Sequence, residues 1–410
     1  MHTRNILNLS AGQTTFTALC SRTLGEEVVP IYYPPYWELE SQVREWLREM
    51  LGTKNEIIIM TGTGTYGLEA SLNSFLSRGE KFLVINTGIF GDVLATLTRR
   101  VGAIPIELRA PPGKTVDLEK VEEALKTNRD VKGVGVVHTE TSTGVRNPVR
   151  EIAAIAKSYG EFIVLVDAIS SFGSEELEVD NWGIDICVTS SQKCLGAPQG
   201  TTIVSVSSRA WDVIEKRKDN IHGICLNLHV WREYNQMVTV DIENWAKGYH
   251  AKPSPLTDII HGPSPSYALI RGLWASLKEI REEGFVQFRR RHEVAAKAVR
   301  EGVKALGLRV LADESCADNS VTAVLIPEKV DELSLRRRLF EVYGVAFANG
   351  YKELGINYIR FGTMGESARF PKVLQGVMAL GRALQDFGVS TNIEAGIDAV
   401  VRVYQKEGMV

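Results

Sequence analysis

The sequence predicts an α/β protein: a large domain with a mostly parallel sheet covered by helices, and a smaller carboxy-terminal α+β domain. Short β-rich runs recur through the middle of the chain, apolar at nearly every position, and amphipathic helical stretches separate many of them. Such runs belong to strands buried on both faces, as in a parallel sheet packed between helix layers. Near Glu283-Gly284 the pattern changes to a smaller-scale mixture of strands and helices. The length of 410 residues fits two domains, and 44% apolar residues supply a sizeable core.

The expected division is an amino-terminal segment at residues 1–20, a large domain at 21–283 and a small domain at 284–410. In the large domain, strands are expected at residues 56–60 (EIIIM), 81–86 (KFLVIN), 133–137 (GVGVV), 162–166 (FIVLV), 184–189 (IDICVT) and 201–206 (TTIVSV). Helices are expected at 68–76, 118–126 and 149–159. Four prolines between residues 251 and 266 mark a loop, because proline removes a backbone donor and obstructs a helix interior. In the small domain a long helix at 285–306 precedes strands at 309–312 and 321–327. A helix at 331–343, strands at 345–349 and 358–362, and helices at 371–387 and 392–407 complete the chain.

Lys+Arg total 47 and Asp+Glu 50, a net charge of −3. No bulk field therefore draws the chain to nucleic acid or to an acidic membrane. The basic runs Arg289-Arg290-Arg291 and Arg336-Arg337-Arg338 fall in helical stretches and read as solvated faces. The first residues lead into no apolar signal core, and no run approaches a membrane span, so a cytoplasmic protein is expected. The cysteines are scattered and unpatterned, which fits a reducing compartment and argues against a metal knuckle. The histidines show no ligand spacing, so no metal is expected.

Ligands on such sheets bind beyond the carboxyl ends of the strands. The segments there, residues 61–67, 87–91, 138–144, 167–173 and 190–196, hold most of the polar residues a site would need. The informative pair is Asp167 and Lys193. Asp167 closes the run FIVLV, and Lys193 follows the next apolar run, 26 positions later. Pyridoxal phosphate needs an amine to hold it as a Schiff base and a carboxylate on its ring nitrogen. A carboxylate beside that nitrogen keeps it protonated, because a nearby opposite charge favours the charged form. Lys193, once displaced by substrate, can move a proton at the α-carbon. The alternatives are an acidic cap before Ser170 and an ordinary surface lysine.

Thr61-Gly62-Thr63-Gly64-Thr65-Tyr66-Gly67 follows a strand and opens a helix. Its glycines let the backbone approach an anion, and the helix amino terminus supplies free N–H groups and positive potential. The stretch also matches the G-x-G-x-x-G of dinucleotide sites, which want a carboxylate near the end of the next strand. That strand ends Val84-Ile85-Asn86-Thr87, and no carboxylate comes before Asp92. Single-phosphate binding is the first reading, with a dinucleotide site and a plain glycine turn as rivals. Thr141 in HTETSTG offers a hydroxyl to the cofactor's phenolic oxygen, or caps a helix. Phe90 in NTGIFG offers a ring to stack on the pyridine, or fills the core. Arg360 interrupts the apolar strand YIRFG; its planar fork suits a carboxylate, and an internal ion pair is the alternative.

Together, TGTGTYGLEA, NTGIFGD, HTETSTGV, VDAISSFG, SQKCLGAPQG and YIRFGTMG resemble the class V aminotransferases of fold type I. The resemblance covers most of the chain and is nearest to the alanine–glyoxylate and serine–pyruvate group and to pyridoxamine–pyruvate aminotransferase. It implies a homodimer with the active site at the subunit interface, and pyridoxal 5′-phosphate held by Lys193 with Asp167 on the ring nitrogen. It implies that Phe90 stacks on the ring and that Thr63, Gly64, Thr65 and Gln192 lie on the phosphate side. Thr141 falls at the phenolic-oxygen position and Arg360 at the substrate carboxylate. Ala11-Gly12 looks like the loop that closes over the substrate, which brings the amino-terminal segment near the active site. Two positions depart from the family. Where relatives offer a partner-subunit threonine to the phosphate, this chain reads His261-Gly262-Pro263. Where the pyridoxamine–pyruvate enzymes carry an additional arginine, it has Tyr351.

The expected function is transfer of an amino group from a small amino acid, alanine or serine, to pyruvate or glyoxylate. The alternatives are a pyridoxamine–pyruvate-type enzyme or a transaminase for another unusual amine. A lyase would need a mobile cysteine, for which Cys316 is the candidate. A dinucleotide-dependent oxidoreductase would rest on Gly62, Gly64 and Gly67 alone.

Overall fold

A computed structural model describes residues 6–31, 33–217, 219, 221, 223–236 and 265–410. The strands of its first half are β1 (Leu7–Leu9), β2 (Glu56–Thr61), β3 (Lys81–Asn86), β4 (Ile104–Arg109) and β5 (Val131–Val137). A short hairpin, β6 (Thr139–Glu140) and β7 (Val145–Arg146), precedes β8 (Ile163–Asp167), β9 (Ile186–Ser190) and β10 (Thr201–Val206). The second half adds β11 (Arg309–Val310), β12 (Val321–Leu325), β13 (Val345–Asn349) and β14 (Tyr358–Gly362).

The larger sheet runs β2-β10-β9-β8-β5-β3-β4. Its neighbours pair in parallel except β10, which is antiparallel to both β2 and β9. Only residues 191–200 separate β9 from β10, too few for a helical crossover, so the chain turns back antiparallel. Along β2, Ile57 and Ile59 enter the core on one face while Ile58 and Met60 enter the core on the other. Val164 and Val166 oppose Ile163 and Leu165 in the same way along β8. Burial on both faces is why these runs are apolar throughout, and each such side chain contributes about 1.5–3 kcal/mol. The helices Gly64–Phe75 and Val149–Tyr159 cover opposite faces, through Leu68 and Leu72 on one and Ile152 and Ala156 on the other.

Several elements differ from the sequence expectation. The helix Gly64–Phe75 starts four residues before the expected 68. Its first turn has no buried apolar side chain to signal it; instead a Cβ on Gly67 would stand 2.3 Å from Thr202 Cγ2, so bare backbone packs on the sheet. Strand β4 is a partly exposed edge strand carrying Glu107 and Arg109, and it lacks the apolar run that marks the central strands. The helices Pro34–Leu51 and Tyr267–Glu283 are additional to the expected elements, and both pack into the core of the larger sheet. Of the proline-rich stretch, residues 251–264 lie outside the described residues.

The smaller sheet runs β1-β13-β14-β12-β11, antiparallel except for the pair β1 and β13. Helices Phe285–Ala305, Glu332–Tyr343, Phe370–Asp386 and Ile393–Lys406 share a core with it around Val299, Leu335, Val377, Leu380 and Val400. Strand β12 stops before Pro327, which has no N–H for the ladder. Residues 7–9 of the amino-terminal segment thus form a strand of this sheet, aligned with Val345, Ala346 and Phe347. Arg291 is a correction to the solvated basic faces. It is buried, donating to Glu283 Oε1 at 2.6 Å and to the Gly365 carbonyl at 2.6 Å. Among the described residues no helix is long and apolar enough to cross a membrane.

Candidate active site

A cleft of about 620 Å³ opens where the carboxyl ends of β5, β8 and β9 meet the start of the helix Gly64–Phe75. Asp167 is the last residue of β8 and pairs in register with Val188 of β9, so the turn after β9 returns Lys193 to the same cleft. The two residues line it together with Thr63, Gly64, Thr65, Phe90, Thr141 and Gln192. Gly12 lines it as well, whereas Ala11, Tyr351 and Arg360 stand beside it, each touching a residue that does.

Lys193 Nζ donates to the carbonyl of Ala11 at 2.7 Å. Burial, followed by the Arg360 charge, pushes its amine down to about 8. A lysine so placed is neutral far more often than one in water, which is what nucleophilic attachment requires. Asp167 is pushed the other way, up to about 7, chiefly by burial and further by the Glu140 charge. The Ile169 N–H, donating to its Oδ1 at 2.9 Å, opposes that rise. No helix follows Asp167 directly, so it is not a helix cap. A cation brought against this carboxylate would restore its charge.

Two helix amino termini reach the cleft, and they differ in how they are satisfied. At Ile89–Arg100 the first N–H groups are taken by the protein itself. Ile89 donates to Ser142 Oγ at 3.1 Å, and Phe90 and Gly91 each donate to Glu140 Oε2 at 3.1 Å. At Gly64–Phe75 the Thr63 side chain makes no capping bond and Thr65 is exposed. This open terminus can receive an anion. Gln192, also at the cleft, is 8% exposed with its Oε1 unpartnered among the described residues.

The far wall is aromatic and cationic. The Phe90 ring meets Tyr351 edge-on, centroids 6.2 Å apart at 88°. The Arg360 guanidinium lies 4.6 Å over the Tyr351 ring. Arg360 Nε donates to the Asn349 carbonyl at 2.7 Å and Nη1 to the Thr141 carbonyl at 3.2 Å. The Thr141 hydroxyl and Ser170 Oγ are 2.6 Å apart. Sequence reasoning missed Glu140 and Ser170 here, and also Gln13, which bonds Gln199 across the mouth. A carboxylate inside the apolar-flanked HTETSTG was the available signal for Glu140. His261-Gly262-Pro263 lies outside the described residues.

Residues 36–352 match the family model described as aminotransferase class-V. The chain belongs to the class V aminotransferases. An uncharacterized aminotransferase of Methanocaldococcus jannaschii is 34% identical over 372 residues, covering 91% of this chain and 90% of that protein. The pyridoxamine–pyruvate transaminase of Mesorhizobium japonicum is 32% identical over 404 residues, covering 98% and 97%. The solved ureidoglycine–glyoxylate aminotransferase from Bacillus subtilis has a TM-score of 0.89 at 27% identity and covers 99% of each chain.

The transaminase therefore has the type I fold of pyridoxal-phosphate enzymes and depends on pyridoxal 5′-phosphate. The residues present fit that cofactor. The uncapped helix terminus at Thr63-Gly64-Thr65 suits a phosphate, the half-buried Phe90 ring a pyridine face, and buried Asp167 a ring N–H. When bound, the protonated pyridinium withdraws electrons from the substrate's α-carbon. The dinucleotide alternative is overturned by strand order. That motif joins sequential neighbouring strands, whereas β10, β9, β8 and β5 stand between β2 and β3. The desulfurase-like alternative fails on Cys316, which is 4% exposed, with burial pushing its thiol up.

Proposed function

We propose that this transaminase moves the amino group of alanine or serine to pyruvate or glyoxylate. The observation that carries the reading is Arg360. It is 6% exposed, and among the described residues its Nη2 makes no hydrogen bond and no carboxylate lies within 4.0 Å of it. The internal ion pair that would make it structural is absent there. A buried cation without a counter-charge costs several kcal/mol, and its planar fork matches a carboxylate. Amino acids and 2-oxo acids both carry one.

In this reading Lys193 would hold the cofactor by its amine, and Arg360 would orient the donor by its carboxylate. Lys193, its amine pushed down to about 8, would take the proton from the donor's α-carbon and later return one to the acceptor. Asp167 would hold the ring nitrogen, Phe90 would pack on the ring, and Thr141 would bond its phenolic oxygen. Thr63, Gly64, Thr65 and Gln192 would hold the phosphate. Ala11-Gly12 would cover the substrate, and Tyr351 would bound the space beside Arg360, which favours short side chains.

The proposal includes the division at residues 1–20, 21–283 and 284–410, supported by the separate core around the smaller sheet. It includes a homodimer with the site at the interface, and a cytoplasmic location, supported by five unpaired cysteines. A screen of amino donors against pyruvate and glyoxylate tests the reading. Alanine or serine should reduce the visible absorbance of the holoenzyme and yield the aminated acceptor. If pyridoxamine were the donor and amino acids inert, the proposal would give way to the pyridoxamine–pyruvate reading, which similarity over 98% of the chain supports.

A further inference from the structure

We infer that Glu140 is a positioning residue that fixes the Phe90 ring against the cofactor by holding the Phe90 and Gly91 backbone amides. The inference rests on the reading of Phe90 as the stacking residue.

Glu140 is fully buried, and no cationic side chain lies within 4.0 Å of it among the described residues. Its partners are donors. Phe90 N–H is shared between Oε1 at 3.2 Å and Oε2 at 3.1 Å, and Gly91 N–H reaches Oε2 at 3.1 Å. Ser142 gives Oε1 its N–H at 3.1 Å and its hydroxyl. Removing a carboxylate from water costs several kcal/mol, so these donors and the positive end of a helix must offset a large penalty. A neutral local cap at Gly88 would satisfy the helix at lower cost, so the geometry asks what else the carboxylate does.

Two observations answer. Gly88 is bare because Glu140 occupies its space: a Cβ there would stand 2.7 Å from Glu140 Cγ and 2.5 Å from Ser142 Oγ. Its φ of 163° is ordinary extended backbone, so space alone selects glycine. The hairpin that carries Glu140 also carries the other contacts of the far wall. Thr141 O accepts from Arg360 at 3.2 Å, Thr141 Oγ1 meets Ser170 at 2.6 Å, and Ser142 O accepts from Tyr358 Oη at 2.8 Å. Through Glu140, the ring-packing residue is pinned to the hairpin that also meets Arg360 and Ser170. Its charge also reaches Asp167 and adds to the rise caused by burial.

The test uses the holoenzyme and three variants, Glu140→Gln, Gly88→Ala and Phe90→Ala, with the Glu140→Gln/Phe90→Ala double variant. The readouts are the visible circular dichroism of the bound cofactor and the dissociation constant of pyridoxal phosphate. Glu140→Gln should weaken cofactor binding about 10-fold, the worth of one charge-assisted hydrogen bond, and diminish the dichroism. Gly88→Ala, which presses on Glu140 from outside, should act in the same direction, and it carries the test should Glu140→Gln not fold. The double variant should bind no more weakly than Phe90→Ala alone. Wild-type dichroism and affinity in both Glu140→Gln and Gly88→Ala would overturn the inference, as would losses that add in the double variant. A Phe90→Ala enzyme indistinguishable from wild type would overturn the stacking assignment itself, and the inference with it.

Discussion

Thr14 donates its hydroxyl to the carbonyl of Lys193 at 2.9 Å, while Lys193 Nζ donates to the carbonyl of Ala11 at 2.7 Å. The amino-terminal segment therefore grips the lysine at both its backbone and its amine. This sets the position of the reactive group before any ligand arrives.

Lys193→Ala should abolish the visible absorbance of the lysine-bound cofactor and lower kcat by a factor of about 1,000 or more, since it removes both the anchor and the proton carrier. Spectra and steady-state rates measured on the same preparation check this. Turnover near the wild-type rate would exclude the assignment.

Arg360→Met should raise the KM for the amino donor about 100-fold, the loss of a bidentate charged contact. It should also move a titration. Arg360 helps push the Lys193 amine down to about 8. Because only the neutral amine attaches the cofactor, the rate of apoenzyme reconstitution should rise with pH through about 8 in the wild type. In the variant the same rise should sit at higher pH. Stopped-flow reconstitution across the pH range reads the midpoint, and an unmoved midpoint counts against the coupling.

Asp167 gives the apoprotein a pH signature of definite sign. Its folded carboxyl lies at about 7, above its unfolded value of 3.8. Between those limits the native state binds the extra proton, so this group's contribution to stability falls as pH rises from about 4 to 7. Asp167→Asn removes that loss. Urea midpoints of the two apoproteins should show the variant gaining on wild type from acid to neutral pH, and a constant difference would contradict the shift.

Gly67→Ala should destabilise the fold by about 1–3 kcal/mol, the usual cost of overfilling a packed contact. Its Cβ would meet Thr202 Cγ2 at 2.3 Å and Val188 Cγ1 at 2.8 Å. Gly12→Ala has nothing within 4 Å of the added carbon and should stay within about 0.5 kcal/mol of wild type. Chemical denaturation of both variants makes the comparison, and equal losses would refute the packing argument.

The parts of this enzyme legible in the sequence share one physical cause. Central strands such as β2 and β8 bury both faces, so EIIIM and FIVLV announce themselves. Asp167 and Lys193 were legible because strand ends are where polar residues break apolar runs. What escaped lacks that contrast. Strand β4 is half wet, the first turn at Gly64 packs through backbone rather than side chains, and Arg291 is buried by partners far along the chain. Glu140 was within view in HTETSTG, but its partners are backbone amides near residue 90, and no spacing rule reaches them.

Strand β1 lies along β13 in the smaller sheet, and the residues just after it hold the lysine of the larger one. Gly362, two residues beyond Arg360, has no side chain, and a Cβ there would stand 2.4 Å from the Ser10 carbonyl. The arginine that would seat a substrate and the amine that would react with it are thus joined by a short mechanical linkage. Displacing Ser10 would therefore disturb Gly362 on one side and, through Ala11, the Lys193 amine on the other.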